Sequence, residues 1–585
     1  MVAFALVSRR TVASKVTCAT SAMLSVLLLL GFVGVFGAPR TALTATLPLP
    51  NNSSAYDRQI ALLALQGLAN RAAPRLFFDT PVFWSSPSSQ IWLRDNYLTQ
   101  LGFSFLPVSP PAGSGALLCG ILDELPAGTV TGVTLYDAEY LEGTRWLAVT
   151  AGALDAALPV TRAMLADPLL QCLQQMPVVA DFSRGAGNAT DSVGLMGWAL
   201  NALRPACDAT SAYSGGHTYT DSAETVNLGG DPAIDIGLDT AVSKKLFTFN
   251  LSPDTSKYPA HAIIWERIVA SLTGAPNAVP NLLGWAEPEP AMTMSTSKAG
   301  GSVVCDGAPN LSFWAALGGA AAQLPYHLSG EKFDASACYI SVMSNEGDTP
   351  KIAAALQQDA WRDPRRGSVP VAWGINPLVF DIAPGLMQYY AQTALANDTF
   401  FAATAGAGYS YPWSMPNMTN YVRRAAQLVE QLTSEWPSDA WHVDVWDSNV
   451  LGNVSTYAAI SADAGLRLGS FSMQPESMAG FSGSLPDGTP VVIPETNLWY
   501  PSLNASDPLE DLQARVAFTC AQGPRPRFSV VYGNLRDAFN LSVIDYALAI
   551  QRLPAANNVR LVGMQDFTAL ARQASAASAK QDDTD

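Results

Sequence analysis

The stretch Ser344-Asn-Glu-Gly-Asp348 sets two carboxylates, Glu346 and Asp348, in one glycine-containing loop, and Glu495 follows an apolar run that ends in Pro494. Carboxyl groups in different surroundings can be driven to different protonation states, one kept protonated as a general acid and the other ionised. Asp348 equally suits the N-cap of a helix beginning near Pro350. A second stretch, Gly406-Ala-Gly-Tyr-Ser-Tyr-Pro412, closes another apolar run. Its glycines permit a sharp turn or a close approach, Tyr409 and Tyr411 offer flat faces with hydroxyl tips, and Pro412 stops regular structure. Trp373, Asn376, Trp446, Asp447 and Asn449 stand near the ends of further apolar runs, where stacking and hydrogen bonding to a ligand are chemically available.

Other chemistries lack their residues. The histidines, His217, His261, His327 and His442, form no HxxxH or HExxH pattern, so a zinc hydrolase has no ligand set. There is no GxSxG elbow, and no phosphate-cradling Lys-Ser/Thr pair follows Gly406-Ala-Gly408. No metal or other cofactor is implied. A net charge of −16 argues against nucleic acid, which demands clustered Lys and Arg.

The elements that must position these residues follow from periodicity. From Ala337 onward, strand patterns recur at Cys338–Met343, Val369–Gly374, Phe400–Thr404, His442–Trp446, Leu466–Phe471, Val491–Ile493, Phe528–Tyr532 and Val559–Val562, with helix-compatible intervals, the clearest at Thr419–Glu435. Eight strands and seven crossovers predict a (β/α)8-like barrel, with a seven-stranded or irregular one as the alternative. The loops after barrel strands line the reaction face, and they carry Asn345, Glu346, Asp348, Asn376, Gly406–Pro412, Asp447, Asn449, Glu476, Glu495, Asn534 and Asp566. Upstream, residues 46–332 read as an α/β amino-terminal region. It has a helix over Ala55–Asn70, strands at Arg75–Asp79, Thr129–Tyr136, Pro177–Phe182 and Leu246–Asn250, and helices at Leu93–Leu101, Ser192–Leu203 and Ala262–Leu272. Pro276–Pro290 and Ser295–Pro309 have loop composition, and Glu287 and Glu289 read as residues of a solvated loop. The expected organisation is a leader over 1–45, the α/β region, a barrel over 333–572 and a disordered tail over 573–585.

The seven residues from Gly406 to Pro412 match the signature for which the GxGYxYP family of putative glycoside hydrolases is named. The chain also resembles that family at Leu65-Gln-Gly-Leu-Ala-Asn-Arg71 with Pro74-Arg-Leu76, at Ser344–Asp348, and at Arg366-Gly-Ser-Val-Pro-Val-Ala-Trp373 with Asn376-Pro377. The family more typically has Asp where Glu346 stands, which keeps the charge and lengthens the side chain by one methylene. The resemblance implies a carbohydrate substrate, with Glu346, Asp348 and Glu495 as the acid and base. Tyr409, Tyr411, Trp373 and Trp446 would stack on sugar rings, and Asn376, Asp447 and Asn449 would contact sugar hydroxyls. A non-catalytic carbohydrate-binding or surface-recognition protein of the same fold is the alternative.

Arg9, Arg10 and Lys15 precede the uncharged run Met23–Ala38, as in a secretory leader; Pro39 leaves an uncleaved anchor open. Cys119, Cys172, Cys207, Cys305, Cys338 and Cys520 lie beyond it, and disulfides are expected, in about fifteen possible pairings if all six join. Sequons at Asn51, Asn52, Asn188, Asn250, Asn310, Asn397, Asn417, Asn453, Asn504 and Asn540 fit a glycosylated, secreted or lumenal protein.

Overall fold

The computed structural model describes residues 40–582 except 51, 81–86, 109–112, 216–234, 273–278, 305–307, 319–322, 345–349, 351–352, 354–356, 404, 446–450, 474–482, 486, 493–505, 534–540 and 555–556. Helices and parallel strands alternate throughout, as the periodicity predicts. The amino-terminal region carries three small parallel sheets. The first contains β1 (Arg40–Thr46), β2 (Leu76–Asp79) and β3 (Phe103–Pro107) in the order β2-β1-β3. In the second, β4 (Gly132–Tyr136) lies between β5 (Ala157–Thr161) and β6 (Val178–Asp181). The third runs β10-β9-β7-β8, from β7 (Ser211–Ser214), β8 (Phe247–Phe249), β9 (Asn281–Gly284) and β10 (Ser302–Val304).

Two corrections arise here. Residues 40–45, assigned to the leader, begin a central strand, because Ala42, Leu43, Thr44 and Ala45 are all buried and both its edges are paired. The stretches read as loops contain β9, β10 and a helix over Glu289–Lys298, which Pro290 starts and whose small side chains Thr293, Ser295, Thr296 and Ser297 are buried. Their composition is that of a loop; burial against neighbouring elements overrides it.

The helix Ser53–Asn70 explains one of the resemblance motifs. Asn52 caps it through a 2.8 Å bond from the Ala55 amide. Gln66 Nε2 donates to Asn310 Oδ1 at 2.6 Å, and Asn70 bonds both the Leu76 backbone and Ser312 Oγ. Arg71 donates at 2.7 Å to the carbonyls of Ala153 and Val242, tying this helix to two others. At Gly67 a Cβ would lie 2.3 Å from the Asp239 carbonyl oxygen, so the glycine is the condition for that close helix contact.

In the carboxy-terminal region, β11 (Cys338–Ser344), β12 (Val371–Ile375), β13 (Asp398–Ala402), β14 (Trp441–Val445), β15 (Leu468–Met473), β17 (Pro490–Val492) and β18 (Arg527–Gly533) form a parallel sheet in the order β17-β15-β14-β13-β12-β11-β18; β16 (Gly483–Ser484) pairs antiparallel with β17. The ends β17 and β18 come together, so the barrel is nearly closed with seven strands. The eighth expected strand, β19 (Val559–Leu561), exists but takes no place in the ring. It shares one edge of β11 with β12, pairing with Cys338–Ile340 while β12 pairs with Met343 and Ser344. From β19 the chain enters the helix Met564–Asp582, whose Met564, Phe567 and Leu570 fill the barrel interior with Tyr339, Phe401, Val530 and Tyr532. The tail expected to be disordered thus continues a helix to Asp582, as its Ala, Gln and Lys content favours.

The motif ending in Trp373 is likewise a packing unit. Arg366 donates to Asp398 at 2.6 Å and covers the Trp361 ring at 4.0 Å, while Trp373 Nε1 donates to the other Asp398 oxygen at 2.9 Å. Disulfides join Cys119 to Cys172 and Cys338 to Cys520; Cys207 is a free thiol, and Cys305 lies outside the described residues. Such bridges fit an oxidising compartment. Among the described residues no helix is long and apolar enough to cross a membrane.

Two outcomes are expected. Asp398→Ala strands a buried guanidinium and an indole N–H, and should cost about 3 kcal/mol or more in urea unfolding. In glycopeptide mass spectrometry of the protein expressed through the secretory pathway of a glycosylating host, the exposed Asn188 and Asn417 should carry glycans and Asn310 none, because Asn310 is 1% exposed and its Nδ2 donates to the Phe78 carbonyl at 2.9 Å.

Candidate active site

The signature loop follows β13 and turns back across the barrel mouth against the amino-terminal region. Ala405 N donates to the Asp444 carbonyl at 2.9 Å, at the end of β14. Gly406 and Gly408 have φ of 109° and 96°. A Cβ on Gly408 would meet Ser302 Oγ at 2.5 Å, and one on Gly406 would meet Ala425 Cβ at 2.9 Å, so both positions require glycine. Tyr409 then exchanges two 2.8 Å backbone hydrogen bonds with Val303 at the end of β10, and Tyr411 N donates to Ser297 Oγ at 2.9 Å. The loop is a clamp between the two regions.

Asn376, at the end of β12, accepts from Gly408 N at 3.0 Å and from Leu378 N at 3.1 Å. It is 2% exposed, so its oxygen orients the loop and is not offered to a sugar. Trp373 is fully buried between Trp361 and Asp398, a core residue where a stacking platform was expected. Tyr409 and Tyr411 are 3% and 7% exposed, with their rings perpendicular and 6.1 Å apart. Their faces are covered by protein, which corrects the expectation that they stack on a ring. Burial first, then the nearby Glu289 charge, push the pKa of the Tyr409 hydroxyl up. Glu346, Asp348, Glu495, Trp446, Asp447 and Asn449 lie outside the described residues.

Alternation along the barrel strands turns His442, Asp444, Ser470, Ser472 and Tyr532 into the interior. At the carboxyl end Asp444 accepts from the hydroxyls of Ser472 and Tyr532, the latter at 2.5 Å. Having given its proton to Asp444, Ser472 can only accept from His442 Nε2, 2.8 Å away. A neutral imidazole then leaves Nδ1 to accept from Ser470 at 2.7 Å, and Ser470 accepts from Thr568 at 2.9 Å. The hydroxyls and one imidazole therefore form a one-way chain from the helix under the barrel up to Asp444. The reading of loops after strands missed Asp444, although the alternating Trp-His-Val-Asp-Val signals it.

Residues 336–572 match the family described as "GxGYxYP putative glycoside hydrolase C-terminal domain". Over these residues the chain is similar to the GxGYxYP family. A crystal structure described as a putative hydrolase from Bacteroides thetaiotaomicron is similar over 92% of this chain and 96% of its own, with a TM-score of 0.69 and 15% identity. At that identity the likeness establishes a shared fold, which runs through both regions. A structure described as a putative polysaccharide deacetylase from Mycobacterium smegmatis aligns with 43% of this chain and 94% of its own at a TM-score of 0.29 and 11% identity. No curated protein matches the chain.

In the barrel burial pushes the His442 imidazole down to about 3 from its ordinary 6.5. The unfolded chain therefore takes up a proton below about pH 6.5 that the folded chain refuses until about pH 3. This contribution to stability is complete above pH 6.5 and shrinks as pH falls through that window, by up to about 1.4 kcal/mol per unit. His442→Gln should flatten the fall of Tm between pH 6.5 and 4 relative to the wild type; parallel profiles would mean that His442 is not held neutral.

Proposed function

We propose that the protein is exported and hydrolyses glycosidic bonds by carboxylate general acid and base catalysis at the carboxyl ends of the barrel strands. The observation that carries this reading is the family match over residues 336–572, which spans the whole barrel. The disulfides and the sequence of residues 1–39 support export. Glu346 follows β11, which adjoins β12 and lies two strands from β13, whose following loop is the signature; Asp348 stands beside Glu346, and Glu495 follows β17. These three carry the acid and base roles in this reading. Asp444, on β14 beside the strand that leads into the signature, adds an interior carboxylate with two hydroxyl donors to hold its orientation. Trp446, Asp447 and Asn449, directly after β14 in the sequence, take the sugar contacts in this reading.

The competing reading, carbohydrate binding without cleavage, draws on the fold, which does not by itself supply a competent pair of carboxylates. A panel of aryl glycosides and polysaccharides separates the two. Hydrolysis is expected for at least one neutral substrate, with Glu346→Gln, Asp348→Asn and Glu495→Gln each assayed on it and loss of an acid or base lowering kcat by about 100-fold or more. Retention of a polysaccharide without cleavage would favour the binding protein, and full activity in all three variants would remove these carboxylates from the mechanism.

A further inference from the structure

Of the arginines in the motifs that carry the family resemblance, Arg71 is tied to two carbonyls and Arg366 to Asp398, whereas the Arg75 side chain makes no hydrogen bond or ion pair among the described residues. Arg40 shares this property, and its guanidinium lies over the Phe103 ring, with Cζ 5.6 Å from the centroid. Both arginines and Phe103 line one surface cavity of about 400 Å³, on a chain whose net charge is −16. The first sheet explains how they come together. Arg40 stands opposite Phe103 in the β1–β3 register, and Leu43 opposite Leu76, which sets Arg75 opposite Ala42; the Leu43 amide extends that ladder by donating to the Arg75 carbonyl at 2.7 Å. Residues two apart on a strand share a face with their in-register neighbours, so Arg40, Arg75 and Phe103 leave one face at the amino ends of the strands. The two arginine Cα atoms are then about 8 Å apart, within reach of two long side chains meeting on one ion. Phe313 of the helix Leu311–Ala316 covers this face, its ring 5.5 Å from that of Phe103, and the cavity opens where the helix stops, walled by Ala316, Leu317 and Pro74. Neither guanidinium donates to a carbonyl of this helix or of Ser53–Asn70, so capping does not account for them.

We infer that this cavity is a second binding site, built without any residue of the barrel, and that it takes a phosphate or sulfate group held between Arg40 and Arg75. A guanidinium stacked on a ring keeps its in-plane N–H donors free at the edge, and Arg75 supplies a second fork of the same kind. A tetrahedral oxyanion has oxygens enough to accept from both forks at once, whereas the two oxygens of a carboxylate are filled by one. The cavity has the volume of a small-molecule site, and its apolar walls suit the body that carries the anion. Two sources offer such a group. One is a small soluble phosphate or sulfate ester; the other is the phosphate of a lipid, because Arg40 follows closely on the apolar run Met23–Ala38.

The test uses the full-length protein and reads Tm and calorimetric affinity with inorganic phosphate, inorganic sulfate, acetate, glycerol 3-phosphate and dihexanoyl phosphatidylglycerol. Phosphate or sulfate at about ten times its Kd should raise the Tm by about 1 °C or more, and acetate at the same concentration should not. Arg40→Gln and Arg75→Gln should each weaken the affinity by about tenfold or more. Because neither guanidinium has a partner among the described residues, both variants should unfold at the wild-type Tm when no anion is present. Arg267→Gln, which removes an exposed arginine from the helix Pro259–Ala270, should bind as the wild type does. Tighter binding of the short-chain lipid than of glycerol 3-phosphate, lost in both cavity variants, would assign the site to a lipid phosphate; the reverse order would assign it to a soluble ligand. Binding of no probe, a preference for acetate, equal weakening by Arg267→Gln, or a lowered anion-free Tm in both cavity variants would each overturn the inference.

Discussion

The two hydrogen bonds between Tyr409 and Val303 join the barrel to the amino-terminal region through backbone alone. They place a barrel loop on the edge of an amino-terminal sheet, and the backbone can approach that closely only because Gly408 has no Cβ to meet Ser302. Gly406 makes the same allowance against the helix Met418–Leu432. Tyr421 reinforces the turn from below, donating its hydroxyl to the Gly408 carbonyl at 2.8 Å and accepting from Ala407 N at 3.1 Å. The letters of the signature therefore have separate steric meanings: the glycines permit the crossing, and the tyrosines carry hydroxyls through a buried layer.

From that clamp the polar chemistry of the barrel becomes intelligible. The Asp444 carbonyl accepts from the first residue of the loop while the Asp444 side chain receives two hydroxyls, so one residue fixes both the loop and the inward carboxylate. Below it, His442 is buried among hydroxyls with its tautomer set by its neighbours, which keeps an imidazole neutral where a charge would be costly. Polar side chains set beside the apolar cluster of the interior are an expensive way to fill a barrel. The chain Thr568–Ser470–His442–Ser472–Asp444 is satisfied in a single hydrogen-bonding direction, which favours it in a buried setting.

The other motifs that carry the family resemblance act as hubs of buried hydrogen bonds. Gln66, Asn70 and Arg71 tie a buried helix to Asn310, Ser312 and two distant carbonyls, and Arg366 and Trp373 converge on Asp398. Each polar group buried in this way must find a partner, so the identity of the residue is constrained as tightly as at a reactive site. A distinctive motif is for that reason a poor guide, by itself, to which residues touch a ligand.

Apolar periodicity alone determined the alternating α/β class, every strand of the barrel to within a few residues and the helix after the signature, because those patterns report which face is buried. It could not say that Val559–Leu561 would lie beside β11 rather than complete the ring, since strand order depends on where the last helix packs under the barrel. Nor could it separate Asn310, a sequon by its letters, from the exposed sequons, for only the fold puts its amide between Gln66 and Phe78. Pro276–Pro309 has the composition of a loop, and its strands and helix exist because neighbouring elements bury its small side chains. Val303 and Tyr409 lie far apart in the chain, at a separation where sequence carries no information about contact. The sequence specified which groups could donate, accept or turn; which of them meet was decided by the packing of one region against the other.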